Sequence, residues 1–337
     1  MHALGMPGVD QLLALKKTKE GTEWLEALVP KDSDEGRHLN QGLSQLLAKW
    51  METGALDKSA KEQFKVLDQR AKEFFDRRIQ LYACALQDKE VQGQICVLVC
   101  QLDGMFRRGY DNIFEVWIER GEAEDFREWS KCAARINAGL GTDRAQNSTR
   151  MFGLYREATN PALKEEYEAV FSDVARETGA ELNVAPVKSM VRSYEKAGMR
   201  HSKKKRHLLD EMCDTFRGSM KCESVKVIRK VVELICADPR FNVMRLNDRL
   251  TISTTAGWRD VLITGEFTDL NLANHVVEIQ IHHEKLVSIR EDMGGHYVYA
   301  IFRSLVESLE VTFGKEEAKT LLDATRDAVR FFTTEFC

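Results

Sequence analysis

The stretch HVVEIQIHHEK, residues 275–285, alternates strictly: Val277, Ile279 and Ile281 fall on one face, and Glu278, Gln280 and His282 on the other. Alternation with a period of two predicts a β-strand. Three polar side chains in succession on one strand face are costly to bury in a plain apolar core, because each needs a partner. That face therefore borders a polar cleft with a carboxylate in its middle, or it is the solvated face of an edge strand.

Working outward from this strand, residues 213–222, 241–247 and 259–267 also read as strands, and residues 224–236 as a helix between them. A helix through residues 163–177 ends at Gly179, and two helices close the chain from about Glu284. Four strands with interspersed helices imply a mixed sheet covered mainly on one face. Upstream the period is different. Phe64, Leu67, Ala71, Phe74, Phe75, Ile79 and Tyr82 recur at intervals of three and four from Asp57 onward, which predicts a long amphipathic helix. Further helices are expected over 91–106, 112–119 and 123–136, separated by Gly109, Gly121, Gly139 and Gly141. Residues 1–56 read as short helical pieces broken by Gly5, Pro7, Gly8, Gly36, Gly42 and Gly54, with a loop at Pro30 and 31–36. The segment GLGTDRAQNSTR, residues 139–150, is rich in turn-forming residues and is the expected linker. The expected class is thus α+β: a helical bundle at 1–138, a linker at 139–150, and a sheet-bearing domain at 151–337.

A chain of 337 residues has ample sequence for a sizeable core. Its 49 basic and 53 acidic residues leave a net charge of −4, which excludes a surface built to coat nucleic acid or an anionic membrane. Anion binding must then be local. The eight cysteines make no CxxC pair and sit mostly among apolar residues, as reduced buried thiols do, which points to an intracellular compartment. The longest apolar run, 95–99 with its flanking cysteines, is far short of a membrane span, and the first ten residues have no basic-then-apolar signal pattern, so a soluble protein without a membrane partner is expected. Cys96 and Cys100 share a helix face with no further His or Cys close in sequence, and read as core.

Two carboxylates stand out, since acidic residues are depleted in strands: Asp214 in MCDTFRGSM and Glu278. Such a pair on neighbouring strands can hold Mg²⁺ while a nucleotide's phosphates complete its shell. The alternative is two ion pairs with nearby arginines. Perfect alternation puts Asp214 and Arg217 on opposite faces unless Gly218 marks a bulge. Lys188, Arg192 and Lys196 recur at intervals of four, and six of the eleven residues 196–206 are Lys or Arg. They can clamp a polyphosphate, although a charge run is commonly a solvated turn. After Gly257, Trp258 can stack on a base while Arg259 holds phosphate, or Trp258 can be core. His296 follows Gly294 and Gly295 on the first turn of a new helix, where it can donate to an anion or simply cap the helix.

The order of these pieces resembles the synthetase domain of the RelA/SpoT family of nucleotide pyrophosphokinases, which has a nucleotidyltransferase-like fold. PVKSMVRSYEKA is similar to the family's R-x-K-S segment, matching Lys188, Ser189 and Lys196, with Pro186 in place of the arginine. LLDEMCDTFRGSM resembles the strand that carries the metal aspartate, giving Asp214 that role with Arg217 beside it. FNVMRLNDRL and AGWRDVLI resemble the basic strand and the G-Y-[RQ] turn, matching Arg245, Arg249, Trp258 and Arg259. VVEIQIHHEK is similar to the E-[IV]-Q-[IL]-[RH] strand, with Glu278 as second carboxylate and Gln280 and His282 following. GGHYVYAIFRS is similar to the G-H-x-x-Y segment, matching His296 and Tyr299. The resemblance spans residues 185–304. Departures are Pro186, Asn247 where relatives often carry lysine, Leu262 where a histidine is common, and a longer stretch between Lys196 and Asp214. No His-Asp hydrolase signature stands in the N-terminal half.

The resemblance implies transfer of pyrophosphate from ATP to a hydroxyl of a second nucleotide such as GTP or GDP, with Mg²⁺ on Asp214 and Glu278. A second reading is a catalytically degenerate nucleotide-binding or protein-interaction module, with residues 1–138 as its partner surface. A third takes the lysine cluster as an RNA-binding patch, which steep salt dependence would reveal.

Overall fold

The computed structural model describes residues 34–140, 151–199, 212–254, 256–272, 275–293 and 295–335. In chain order it runs α1 (Asp34–Thr53), α2 (Lys58–Ala85), α3 (Lys89–Ile113), a π-helical turn (Phe114–Glu119), α4 (Ala123–Gly139), α5 (Met151–Ala158), α6 (Pro161–Thr178), β1 (Glu181–Val184) and α7 (Met190–Met199). It continues through β2 (Arg217–Cys222), α8 (Val225–Ala237), β3 (Phe241–Asp248), β4 (Val261–Phe267), β5 (Val277–His283), α9 (Glu284–Asp292), α10 (Gly295–Phe313) and α11 (Lys315–Glu335). The class is α+β.

These elements form two compact units. The helical unit comprises the described residues of Met1–Met105, Tyr194–His207 and Gly295–Cys337, and the sheet unit those of Phe106–Ser193 and Leu208–Gly294. This division differs from the expected boundary at residues 139–150, most of which lie outside the described residues. The sheet unit begins at Phe106 because α4 packs on α8 and β3, which carries residues 106–139 with the sheet.

Among the described residues of the sheet unit, five strands run in the order β1-β2-β5-β4-β3. β2 and β5 are parallel, and the other pairs are antiparallel. β5 is therefore the central strand, which removes the edge-strand alternative. The fifth strand, β1, was not expected; it is only four residues long and pairs with β2. Continuous register across Arg217–Cys222 shows no bulge at Gly218. Its glycine answers a different need, since a Cβ there would lie 2.6 Å from the Tyr167 hydroxyl and 2.9 Å from the Asn183 carbonyl.

One sheet face is apolar. Met220, Cys222, Val277, Ile279, Ile281, Val261 and Ile263 are all fully buried there. α6 is capped by Asn160, begins with Pro161 and ends at left-handed Gly179 as its sequence requires. It contributes Tyr167 and Phe171 to an aromatic cluster with Phe216, Phe241 and Phe267, at centroid separations of 4.5–6.4 Å. The Tyr167 hydroxyl donates to the Glu278 carbonyl at 3.0 Å, tying α6 to the central strand.

The helical unit shows where glycine misleads. Gly36 and Gly42 lie inside the single helix α1 rather than breaking it, and Gly54, at φ 69°, ends it. A Cβ on Gly42 would meet the Leu67 side chain of α2 at 3.0 Å, so close helix packing accounts for that glycine. Asp57 caps α2 by accepting from the Ala60 amide at 2.7 Å. α2 packs on α1 and α10, and α10 on α11. Among the described residues three helices, not two, follow β5.

Candidate functional site

Register places a polar array on the sheet face opposite the aromatic cluster. Glu278 lies beside Arg217 of β2 and Thr264 of β4; Gln280 lies beside Ser219 and Leu262; His282 lies beside Lys221. Arg245 and Asn247 of β3 continue the rows past Thr264 and Leu262. Leu262 is the one apolar residue among these paired positions. Glu278 and His282 are only 8% and 4% exposed, whereas Lys221 and Arg245 on the same face are exposed, so the face is polar throughout and enclosed along β5. The Gln280 side-chain amide donates to the Glu278 carboxylate at 2.7 Å.

Asp214 is not in a strand. It occupies a turn ahead of β2, because two other segments hold the backbone there. The Lys188 amide donates to the Thr215 carbonyl at 3.0 Å, and the Arg217 guanidinium donates to the Asp214 carbonyl at 3.0 Å. The Lys188 ammonium reaches the Asp214 carboxylate at 2.6 Å, with both side chains largely enclosed at 12% and 16% exposure. Alternation along a strand therefore does not govern where the Asp214 carboxylate lies. Ser189 starts α7, its hydroxyl accepting from the Arg192 amide at 3.3 Å.

The buried hydroxyls of Tyr155 and Ser193 share a hydrogen bond of 2.6 Å. Burial pushes the Tyr155 phenol up; the Asp214 carboxylate adds to that push, while Ser193 and Arg217 oppose it. Tyr155 thus belongs to the surroundings of Asp214 and Arg217. Its position on α5, far from the motifs in sequence, gave no signal.

The loop between β3 and β4 is organised by Asp260, an acid that its sequence alone does not distinguish from a solvated one. Asp260 has no exposed surface and accepts from Arg249 Nε at 2.6 Å, Arg249 Nη2 at 2.7 Å and Trp258 Nε1 at 3.0 Å. His282 Nδ1 stands 3.7 Å from the same carboxylate. Left-handed Gly257 turns the chain into Trp258, and a Cβ there would press on the Arg107 backbone at 3.2 Å. Trp258 is 9% exposed. Its ring meets Tyr110 edge-on at 5.3 Å and His282 at 5.4 Å, while the Arg290 guanidinium lies over it at 4.6 Å. Arg259 donates to the carbonyls of Leu250 and Thr251 at 2.9 and 3.0 Å and lies 3.8 Å over the Phe114 ring. Burial lowers its pKa from the usual guanidinium range.

The structure therefore draws the expected residues into two groups. Lys188, Ser189, Asp214, Arg217, Glu278 and Gln280 come together around β2 and β5. Arg249, Trp258 and His282 gather around Asp260, whereas the Arg259 side chain turns to the carbonyls of Leu250 and Thr251 and to the Phe114 ring. Arg245 is exposed on β3. Lys196 on α7 and His296 on the first turn of α10 fall in the helical unit. The lysine run at 203–206 lies outside the described residues. Among the described residues, no three His, Cys, Asp or Glu side chains converge as metal ligands.

No family model and no curated protein matches the chain. Solved structures do. The chain is similar to small alarmone synthetases. The small alarmone synthetase 1 from Bacillus subtilis, bound to its product pppGpp, is 19% identical over 52% of this chain and 96% of that one, with a TM-score of 0.32. A GTP pyrophosphokinase family protein from Streptococcus pneumoniae is 16% identical over 52% and 96%, with a TM-score of 0.31. The small alarmone synthetase 2 from Bacillus subtilis is 18% identical over 49% and 95%, at 0.29. No described helix is long and apolar enough to cross a membrane.

Proposed function

We propose that this chain is a divergent RelA/SpoT-type nucleotide pyrophosphokinase, transferring pyrophosphate from ATP to a hydroxyl of a second nucleotide, GTP or GDP. One observation carries the reading. Residues from three of the motifs meet at one end of β2: Lys188 pairs with Asp214 in the turn that leads into β2, Arg217 holds the Asp214 carbonyl and lies beside Glu278 of β5 in register, and Gln280 holds the Glu278 carboxylate. Lys188 would neutralise the donor's phosphates, and the helix start capped by Ser189 would orient them. Glu278, held by Gln280, would orient the attacking hydroxyl and accept its proton. Arg217 lies beside Glu278 and would bind developing charge on the transferred group.

Mg²⁺ would be held by this donor set in one mode. With two carboxylates rather than three ligands available, it would sit on Asp214 and Glu278 with nucleotide phosphates completing its shell, where it would neutralise phosphate charge. The experiment is incubation with ATP, Mg²⁺ and a panel of acceptors. AMP should appear, and Asp214→Asn and Glu278→Gln should each lower its rate by roughly 100-fold or more. ADP in place of AMP would indicate simple hydrolysis.

A second reading keeps nucleotide or protein binding without catalysis. It is favoured by the Asp260 network, which engages Arg249 and Trp258 in internal contacts. Nucleotide-dependent stabilisation without AMP would support it.

A further inference from the structure

The 2.6 Å contact between Lys188 and Asp214 puts an ammonium against the carboxylate that the proposed function assigns to Mg²⁺. We propose that Lys188 is a built-in counter-cation which keeps Asp214 from binding a divalent ion alone, so that the site admits the metal only together with nucleotide phosphates. The inference rests on the pyrophosphokinase reading for the identity of the ligand, and on the ion pair for the mechanism.

The physical argument is one of exchange. Lys188 and Asp214 are 12% and 16% exposed, so a free ion would have to separate an enclosed charge pair and leave the ammonium without its carboxylate. Mg²⁺ also gives up its own waters reluctantly and holds few protein ligands. A divalent ion already carried on a polyphosphate changes both terms. Its phosphates offer Lys188 new oxygen partners, and a lysine serves well as a point-charge phosphate binder. Asp214 is then released to the metal, while the Arg217 guanidinium remains on the Asp214 carbonyl and keeps the turn in place. Metal and nucleotide become coupled ligands, each raising the other's affinity by the same factor.

The test uses Mn²⁺ as the probe, read by electron paramagnetic resonance of the free ion, on the full chain. Without nucleotide, Lys188→Met should bind Mn²⁺ about 10-fold or more tightly than the parent, whereas Lys188→Arg, which keeps a cation, should stay as weak as the parent. Adding Asp214→Asn to Lys188→Met should abolish the gain. In the parent, an α,β-methylene analogue of ATP should tighten Mn²⁺ binding by a similar factor. Equal Mn²⁺ affinity in the parent and a folded Lys188→Met overturns the proposal, as does a gain that survives Asp214→Asn. If Lys188→Met fails to fold, the parent decides: Mn²⁺ binding that is equally tight with and without bound analogue overturns the proposal. Equilibrium dialysis separates the two ideas. Failure of the parent to bind the analogue at all would remove the pyrophosphokinase reading, while the comparison of variants would still decide the role of Lys188.

Discussion

Asp260 is a fully buried carboxylate whose charge is met by two Arg249 nitrogens and one indole N–H. Such a network fixes geometry more surely than it adds stability, because each member is costly to leave unpaired. Its consequence falls on Trp258. With Nε1 bound to Asp260 and Arg290 over the ring, the indole is already partnered as a core residue would be. Trp258→Ala should therefore lower apo stability by about 3–5 kcal/mol in urea unfolding, with Trp258→Phe costing less. An unchanged apo stability with lost nucleotide stabilisation would instead restore the base-stacking role. The sequence could not distinguish these outcomes. The letters WRD before an apolar strand look alike whether the acid is buried or solvated, and only the convergence of Arg249, Trp258 and His282 reveals the difference. Glu278 was legible for the opposite reason: its alternating neighbours fix its face without help from distant residues.

At the scale of elements, β5 links the sheet to α9 through His283, which caps that helix by accepting from the Lys285 amide at 3.2 Å. Its Nε2 lies 3.0 Å from Glu122, and the other Glu122 oxygen accepts from the Val225 amide at 2.6 Å, at the start of α8. One carboxylate thus joins β5, α8 and the entry to α4. Burial lowers the His283 pKa, against an opposing effect of Glu122. The unfolded chain, with an ordinary imidazole near pH 6.5, binds the proton more readily than the folded one. The contribution of neutral His283 is present above that pH and is lost as pH falls toward its lowered folded value, at a slope of at most about 1.4 kcal/mol per pH unit. Melting between pH 7.5 and 5 should show this loss in the parent and a smaller one in His283→Asn, which retains a capping side chain. Periodicity revealed β5, α2 and α6 because each carries its own repeat. It failed at Asp214, where Phe216 and Thr215 resemble strand residues but Lys188, 26 positions earlier, holds the turn. It failed again at Gly109, which reads as a breaker yet lies within α3, where a Cβ would meet Met293 Sδ at 2.6 Å.

For the molecule as a whole, the extent of the sheet unit has a direct consequence. Phe114 under Arg259, Glu122 with His283, Trp129 with Asp248 at 3.2 Å, and Tyr110 against Trp258 all join residues before 139 to the sheet. A fragment of residues 106–294 should melt cooperatively by circular dichroism, whereas residues 151–294 should not, having lost these partners. Cooperative melting of the shorter piece would return the boundary to the 139–150 segment. The helical unit has a different dependence, since α2 packs on α10, and Arg326 of α11 meets Asp103 of α3 at 3.3 Å. Roughly 190 positions separate Met105 from Gly295, the two ends at which its main segments meet the sheet unit. On a ribosome adding about 5–20 residues per second, the first three helices would wait roughly 10–40 s for their partners to be made. During that interval α1 and α2 can pack on each other, but the face of α2 that α10 covers stays open, so newly made copies of this protein should be clients for chaperones that shield exposed helices.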